Sequence, residues 1–166
     1  MPRVGIALGS NLGDRLAHLR RALAYLREFA APGELFLTAP VFQTEPRLCP
    51  PGSPDFYNSV VEISYHGTAT ELLDLTQAIE KKLGRATTTE RNAPRVIDLD
   101  LLYFGDEIIV SEALVLPHPR LHDRRFVLQP LAAIRPDLVL AGQCNSVAEL
   151  LERLPPDEPP LVLVCE

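Results

Sequence analysis

The chain has 166 residues, enough for one domain with a proper core and too few for two. Its 46% hydrophobic and 23% charged residues are ordinary globular composition, and a formal net charge of −6 argues against nonspecific nucleic-acid binding, which needs clustered positive charge. Cys49, Cys144 and Cys165 are an odd number at scattered spacings, which fits neither a disulfide framework nor a C-x-x-C metal site and makes a reducing cytoplasm the expected compartment.

Residues 1–9 lack the long apolar core of a signal peptide, and no run approaches the roughly 18 apolar residues of a membrane span, so no membrane partner is expected. Residues 4–8 read as a short apolar strand. Gly9-Ser10-Asn11-Leu12-Gly13-Asp14 is turn-rich and can start a helix. Leu16, Leu19, Leu23, Leu26 and Ala30 then recur at helical spacing up to Pro32-Gly33. Residues 35–38 and 41–44 read as short strands. The stretch 46–54, with four prolines and a glycine, is a loop and a candidate mobile lid.

Residues 56–65 alternate as a strand, with Val60, Glu62 and Ser64 on one face and Val61, Ile63 and Tyr65 on the other. Thr68-Ala69-Thr70-Glu71 offers a capping box for a helix to about Leu83, stopped by Gly84. Its core stripe is Leu72, Leu75 and Ile79, while Gln77 and Glu80 lie on another face and, by themselves, read as solvated. Residues 85–92 show no periodicity and form a second flexible loop. Gly105-Asp106-Glu107 suggests a hairpin into residues 108–110, and Leu116-Pro117-His118-Pro119-Arg120 is a rigid turn. Short helices are predicted over 124–134 and 146–154. A proline-rich linker then leads to a last apolar piece, 161–165, that would dock on the sheet or pack between subunits. Strands and helices alternate irregularly with hairpins between them, which points to an α+β sandwich with an antiparallel-rich sheet in a single domain over residues 1–166.

The chemistry concentrates in residues 91–100, where two arginines precede two carboxylates in an apolar run. Asp98-Leu99-Asp100-Leu101-Leu102-Tyr103-Phe104 reads as a buried strand, so Asp98 and Asp100 project from one face, about 6–7 Å apart at Cα. Such a pair can hold one or two Mg²⁺ ions, which take oxygen ligands and usually keep waters and phosphate oxygens as the rest of their shell. Arg91 and Arg95 supply forked donors for those phosphates. The plain alternative is an acidic pair on the solvated face of an edge strand with surface ion pairs, worth about 0–1 kcal/mol each.

Across nearly its whole length the chain resembles the 6-hydroxymethyl-7,8-dihydropterin pyrophosphokinases. The matching pieces are Gly9 through Asp14, Phe42-Gln43-Thr44-Glu45-Pro46, Pro54-Asp55-Phe56-Tyr57-Asn58, Gln77-Ala78-Ile79-Glu80, Gly84-Arg85, Arg91 through Asp100, and Leu116 through Arg120 with Arg124 and Phe126. The resemblance implies a ferredoxin-like α/β sandwich with flexible active-site loops. It also implies Mg²⁺-dependent transfer of pyrophosphate from ATP to the pterin hydroxymethyl oxygen, releasing AMP, in folate biosynthesis.

By that resemblance, Asp98 and Asp100 are ligands of two Mg²⁺ ions, and Arg85 and Arg95 are catalytic loop arginines. Leu73, Gln77, Glu80, Arg91, Arg95, Leu101, His118 and Arg124 contact ATP, with Leu73 and Leu101 as apolar walls for adenine. Thr44, Pro46, Phe56, Asn58 and Phe126 bind the pterin, the two phenylalanines by stacking. Three positions depart from the pattern of some family members: Asn92 stands where they have tryptophan, Thr87 where they have arginine, and Phe56 where tyrosine is frequent. The partners expected are the two small-molecule substrates, with no nucleic acid, and the chain itself as a monomer. Competing readings are a metal-dependent nucleotidyl- or glycosyltransferase using the Asp98/Asp100 pair, and a non-enzymatic α+β ligand-binding module.

Overall fold

The structure, a computed structural model, describes residues 1–45, 51–52, 54–84, 96–156, 158 and 160–165. Strand β1 (Arg3–Ser10) leads to helix α1 (Arg15–Phe29), where the Asp14 carboxylate caps the first turn by accepting the Ala17 N–H at 3.1 Å. Short strands β2 (Leu37–Thr38) and β3 (Val41–Thr44) precede β4 (Phe56–Ser64). Helix α2 (Ala69–Lys82) opens on the capping box expected of Thr68 and Glu71, with both reciprocal hydrogen bonds formed. Strand β5 (Asp98–Phe104) follows, then β6 (Ile109–Val110), β7 (Val115–Leu116), a 3₁₀ turn at Leu121–Asp123, α3 (Arg125–Ile134), α4 (Val147–Glu152) and β8 (Val162–Cys165).

The main sheet runs β5-β1-β4-β3-β8, with β2 also on β4, and each of these pairs is antiparallel. Within it, β1-α1-β3-β4-α2-β5 is the split βαβ–βαβ arrangement of the ferredoxin-like fold. The expected α+β sandwich is therefore the observed one. Val4, Ile6, Leu8, Val61, Ile63, Leu99 and Leu101 pack with Leu19, Leu26, Leu72 and Ile79 of α1 and α2. The opposite face gathers Val60, Leu102 and Tyr103 with Val127, Leu128, Leu131 and Leu150 of α3 and α4. The last apolar piece docks on the sheet as β8, alongside β3. No helix among the described residues is long and apolar enough to cross a membrane.

Two local expectations change. In α2 the fully buried positions are Ala69, Leu72, Thr76, Ile79 and Glu80, while Leu75 is only half-buried. Thr76 satisfies its hydroxyl within the helix by donating to the Leu73 carbonyl at 2.8 Å. The chain does turn at Gly105 (φ +56°), yet residues 108–110 do not return along β5, because β6 pairs with β7 in a separate two-stranded ribbon. The flank of β5 away from β1 has other occupants: the Glu80 carboxylate accepts the Leu99 N–H at 2.9 Å, and the His118 N–H donates to the Leu102 carbonyl at 2.8 Å. The loop expected over 46–54 lies mostly, and that over 85–92 wholly, outside the described residues.

At the far end of the sheet lies a buried charge. Glu62 of β4 is fully buried and accepts from Arg3 Nε at 2.8 Å, from Arg135 Nη1 at 2.6 Å and from the Tyr103 hydroxyl. Gly5 sits in register between Glu62 and Tyr103, and a Cβ there would overlap the Tyr103 ring; glycine lets that ring cross β1 to reach the carboxylate. Burial by itself raises the Glu62 pKa. The hydrogen bonds from Tyr103, Arg135 and Arg3, with the Arg135 charge, outweigh it and leave the carboxyl below its usual value of 4.5.

A carboxylate whose folded pKa is depressed contributes stability that is complete above its unfolded pKa and is lost as pH falls through the folded one. Glu62→Gln is therefore expected to lower unfolding free energy at pH 7 by about 2–4 kcal/mol. That is the lower side of what breaking a buried pair costs, since Arg3 and Arg135 keep 27% and 32% of their side-chain exposure. Its stability should also fall less steeply than the wild type's below pH 4.5. Urea unfolding across pH 3–7 checks both; equal acid slopes would show that Glu62 is not the group responsible.

Candidate active site

The acidic pair is set by β1, which is hydrogen-bonded on both sides. Gly9 lies opposite Asp98 of β5 and opposite Asn58 of β4, and Ala7 lies opposite Asp100 and Val60. Residues facing each other across antiparallel strands share a face, and the face alternates along each strand. Asp98, Gly9 and Asn58 therefore form one row on the α3 side of the sheet, with Asp100, Ala7 and Val60 in the next. Phe56, two residues before Asn58, joins this face, and Thr44 of β3 lies opposite Phe56. The predicted metal ligands and three of the predicted pterin residues thus meet on one surface. Among the described residues no group of three or more His, Cys, Asp or Glu side chains comes together. Two half-buried carboxylates on one strand face suit Mg²⁺, which completes its shell with water and phosphate oxygens rather than with an all-protein cage.

On the β4 side the positions are held firmly. Asn58 is 6% exposed and donates from Nδ2 to Thr44 Oγ1 at 2.8 Å, which fixes which end of the amide faces β1. Just before Phe56, the Asp55 carboxylate accepts from Gln43 Nε2 at 2.7 Å, and its carbonyl accepts from Arg15 at 2.8 Å. The Arg15 guanidinium also lies 4.0 Å from the centre of the Tyr57 ring. Phe126 opens α3, half-buried, packed on the same cluster that Ala7 joins, with the Arg124 guanidinium 5.4 Å from its ring centre.

The nucleotide candidates divide between two places. His118 and Arg124 come from the segment between β7 and α3, beside β5. Burial first, then the charges of Arg124 and Arg120, push the His118 imidazole below its ordinary pKa, opposed by Asp123 and Asp98. Its ring is therefore neutral at pH 7. The Arg120 N–H donates to Nδ1 at 3.1 Å, which assigns the proton to Nε2 and leaves that nitrogen as a donor. Leu73, Gln77, Glu80 and Leu101 lie on the α2 side of β5. Leu101 is buried in the helix-side core and Leu73 packs against it half-buried. Gln77 is exposed, whereas Glu80 is 5% exposed with its carboxylate on the Leu99 N–H, between the two aspartates in sequence. Arg85, Arg91, Arg95 and Pro46 lie outside the described residues.

Sequence reasoning named Glu80 as an ATP contact and Gly9 only within a matching motif, and gave neither a place in the frame of the sheet. The signal for Gly9 was the alternation in β1 of large residues (Val4, Ile6, Leu8) with small ones (Gly5, Ala7, Gly9), which leaves one face nearly bare. Glu80 gave no such signal, because a buried carboxylate on a helix looks like a solvated one until its partner strand is in place.

The family model described as 7,8-dihydro-6-hydroxymethylpterin-pyrophosphokinase matches residues 5–136. The chain is 46% identical over 129 residues to the 2-amino-4-hydroxy-6-hydroxymethyldihydropteridine pyrophosphokinase of Bacillus subtilis, covering 78% of this chain and 75% of that protein. It is 40% identical to the protein of the same name from Methylorubrum extorquens, covering 94% of this chain and 96% of the other. Among solved structures, wild-type Plasmodium falciparum HPPK-DHPS superimposes over 92% of this chain with a TM-score of 0.71 and 14% identity, a likeness of fold. This chain spans 44% of that longer one. On the family match and these identities, the chain belongs to the 7,8-dihydro-6-hydroxymethylpterin pyrophosphokinase family.

Proposed function

We propose that the chain transfers the β,γ-pyrophosphoryl group of ATP to the hydroxymethyl oxygen of 6-hydroxymethyl-7,8-dihydropterin, giving the pterin diphosphate and AMP for folate synthesis, in the cytoplasm and as a monomer. Family membership supports the reaction. The observation that carries it in this structure is the row Asp98–Gly9–Asn58. Two strand spacings of about 4.8 Å set the carboxylate strand roughly 10 Å from the amide strand. A flat acceptor read at one end by Asn58 and Thr44 can then present its reactive arm toward the phosphates held at Asp98 and Asp100.

In this reading Asp98 and Asp100 hold two Mg²⁺ ions, which when bound neutralise charge on the triphosphate and align the attacking and leaving oxygens. The protein's own contribution is mostly placement. Glu80 pins the backbone between the two aspartates. Asn58, locked by Thr44, turns one end of its amide toward the pterin rim, and Phe56 and Phe126 supply ring faces for the heterocycle. The neutral His118 offers Nε2–H to a nucleotide oxygen. Arg85, Arg91 and Arg95, which precede β5 in sequence, are assigned to the phosphates by the family resemblance, and an arginine that engages only in the transition state favours it over the ground state. No side chain is assigned as general base, because positioning and electrostatic stabilisation dominate in phosphoryl-type transfer.

The direct test is AMP release from ATP with and without the pterin, each with and without Mg²⁺. AMP is expected only when both are present; ADP formation or pterin-independent hydrolysis would reject the reaction. Asp98→Ala and Asp100→Ala are each expected to lower kcat by about a thousandfold, since the charge stabilisation they support is worth several kcal/mol. Near-normal turnover by either at saturating Mg²⁺ would remove the metal assignment. Arg95→Ala should lower kcat by about a hundredfold with a smaller change in nucleotide KM; the reverse split would make Arg95 a ground-state contact.

A further inference from the structure

We infer that Arg15 and Gln43 are positioning residues for the acceptor site: from behind β4 they hold the backbone that delivers Phe56 and Asn58 to the pterin, and they set acceptor affinity without touching the acceptor. This rests on the pterin reading above. Arg15 follows directly on the matched stretch Gly9 through Asp14, to which the proposed reaction assigns no ligand contact. It is the first residue of α1, where a cation faces the positive end of the helix dipole and an anion would be favoured. The helix therefore gains nothing from its charge. Its partners lie at the start of β4 instead: Nη1 donates to the Asp55 carbonyl at 2.8 Å, and the guanidinium lies 4.0 Å from the centre of the Tyr57 ring. The β1–β4 register brings them together, because Ser10 at the end of β1 pairs with Tyr57.

The start of β4 is where the sheet supports it least. The β3–β4 ladder ends at Thr44 opposite Phe56, and the β1–β4 ladder ends one residue further in, at Ser10 opposite Tyr57. A strand end held only by its last pairs opens readily unless side chains tie it down. Asp55, the residue just outside the ladder, is tied from two sides: Arg15 takes its carbonyl, and Gln43 Nε2 donates to its carboxylate at 2.7 Å. Asn11 Nδ2 adds a longer contact of 3.5 Å to the carbonyl before it, that of Pro54. Tyr57 packs with the helix-side core, so this clamp stands behind the strand, while Phe56 and Asn58 project from the opposite face. With the clamp open, the Phe56 ring and the Asn58 amide share their binding geometry for only part of the time, and acceptor affinity falls by that fraction. The aspartates are insulated from this, because β5 lies across β1 from β4.

The test is Arg15→Met, which keeps a long stem and removes the charge and every donor. Acceptor affinity is measured with 6-hydroxymethylpterin in the presence of Mg²⁺ and a non-hydrolysable ATP analogue, analogue affinity is measured separately, and steady-state turnover adds the pterin KM and kcat. The pterin Kd and KM are expected to rise about tenfold, as for a site formed about one-tenth of the time. Analogue affinity and kcat at saturating pterin should stay at their wild-type values. A contact that served stability alone would move both ligands together or neither. Equal weakening of pterin and nucleotide, or wild-type affinity for the pterin, overturns the inference. Should Arg15→Met not fold, Gln43→Met opens the clamp from β3 and is read by the same outcomes. Failure of the pterin reading would look different, since wild type would then neither bind the pterin nor release AMP.

Discussion

Strand β1 is hydrogen-bonded on both flanks, and the registers of those two ladders decide where every functional side chain of the sheet points. A slip of one residue on the β5 side would turn Asp98 and Asp100 into the helix-side core and bring Leu99 and Leu101 out onto the site. A slip on the β4 side would bury Phe56 and Asn58 in the same way. Slippage is resisted by the apolar set on the other face, where Val4, Ile6 and Leu8 are buried against α1 and α2. The hydrophobic core on one side of the sheet thus fixes the polar geometry on the other.

The two ends of this sheet handle buried polarity differently. At one end Glu62 is surrounded by Tyr103, Arg3 and Arg135, all of them donors, and its charge is satisfied inside the protein. At the other end Asp98 and Asp100 are half-buried and face the α3 side of the sheet. Glycine serves both ends for different steric reasons: Gly5 lets the Tyr103 ring cross the strand, and Gly9 leaves room for the Asn58 amide and the Phe56 ring. Neither role needs the left-handed backbone for which glycine is usually chosen.

Much of this was legible from residue order. The alternation in β4 assigned Val60, Glu62 and Ser64 to one face and Val61, Ile63 and Tyr65 to the other, as observed, and the capping box at Thr68 and Glu71 forms as read. The two-residue spacing of Asp98 and Asp100 was enough to place them together. The hairpin expected after Gly105 failed because a turn signal says where a chain reverses and not which strand it meets; Glu80 and His118 N–H occupy the backbone groups that a returning strand would use. Leu75, expected in the core stripe, is only half-buried while Thr76 is fully buried, since the packing of α2 across β5 and α1 decides the exact stripe.

The sequence by itself determined the α+β class, most element positions and the identity of the acidic pair, because periodicity, caps and apolar runs act between residues close along the chain. Its match to a family carried the chemistry. Only the tertiary structure decided that Gly9 stands between Asp98 and Asn58, that Tyr103 reaches Glu62 over Gly5, and that Glu80 grips the backbone between the aspartates. Each of those depends on pairing between residues tens of positions apart, and such register is set by how the whole core packs rather than by any local pattern.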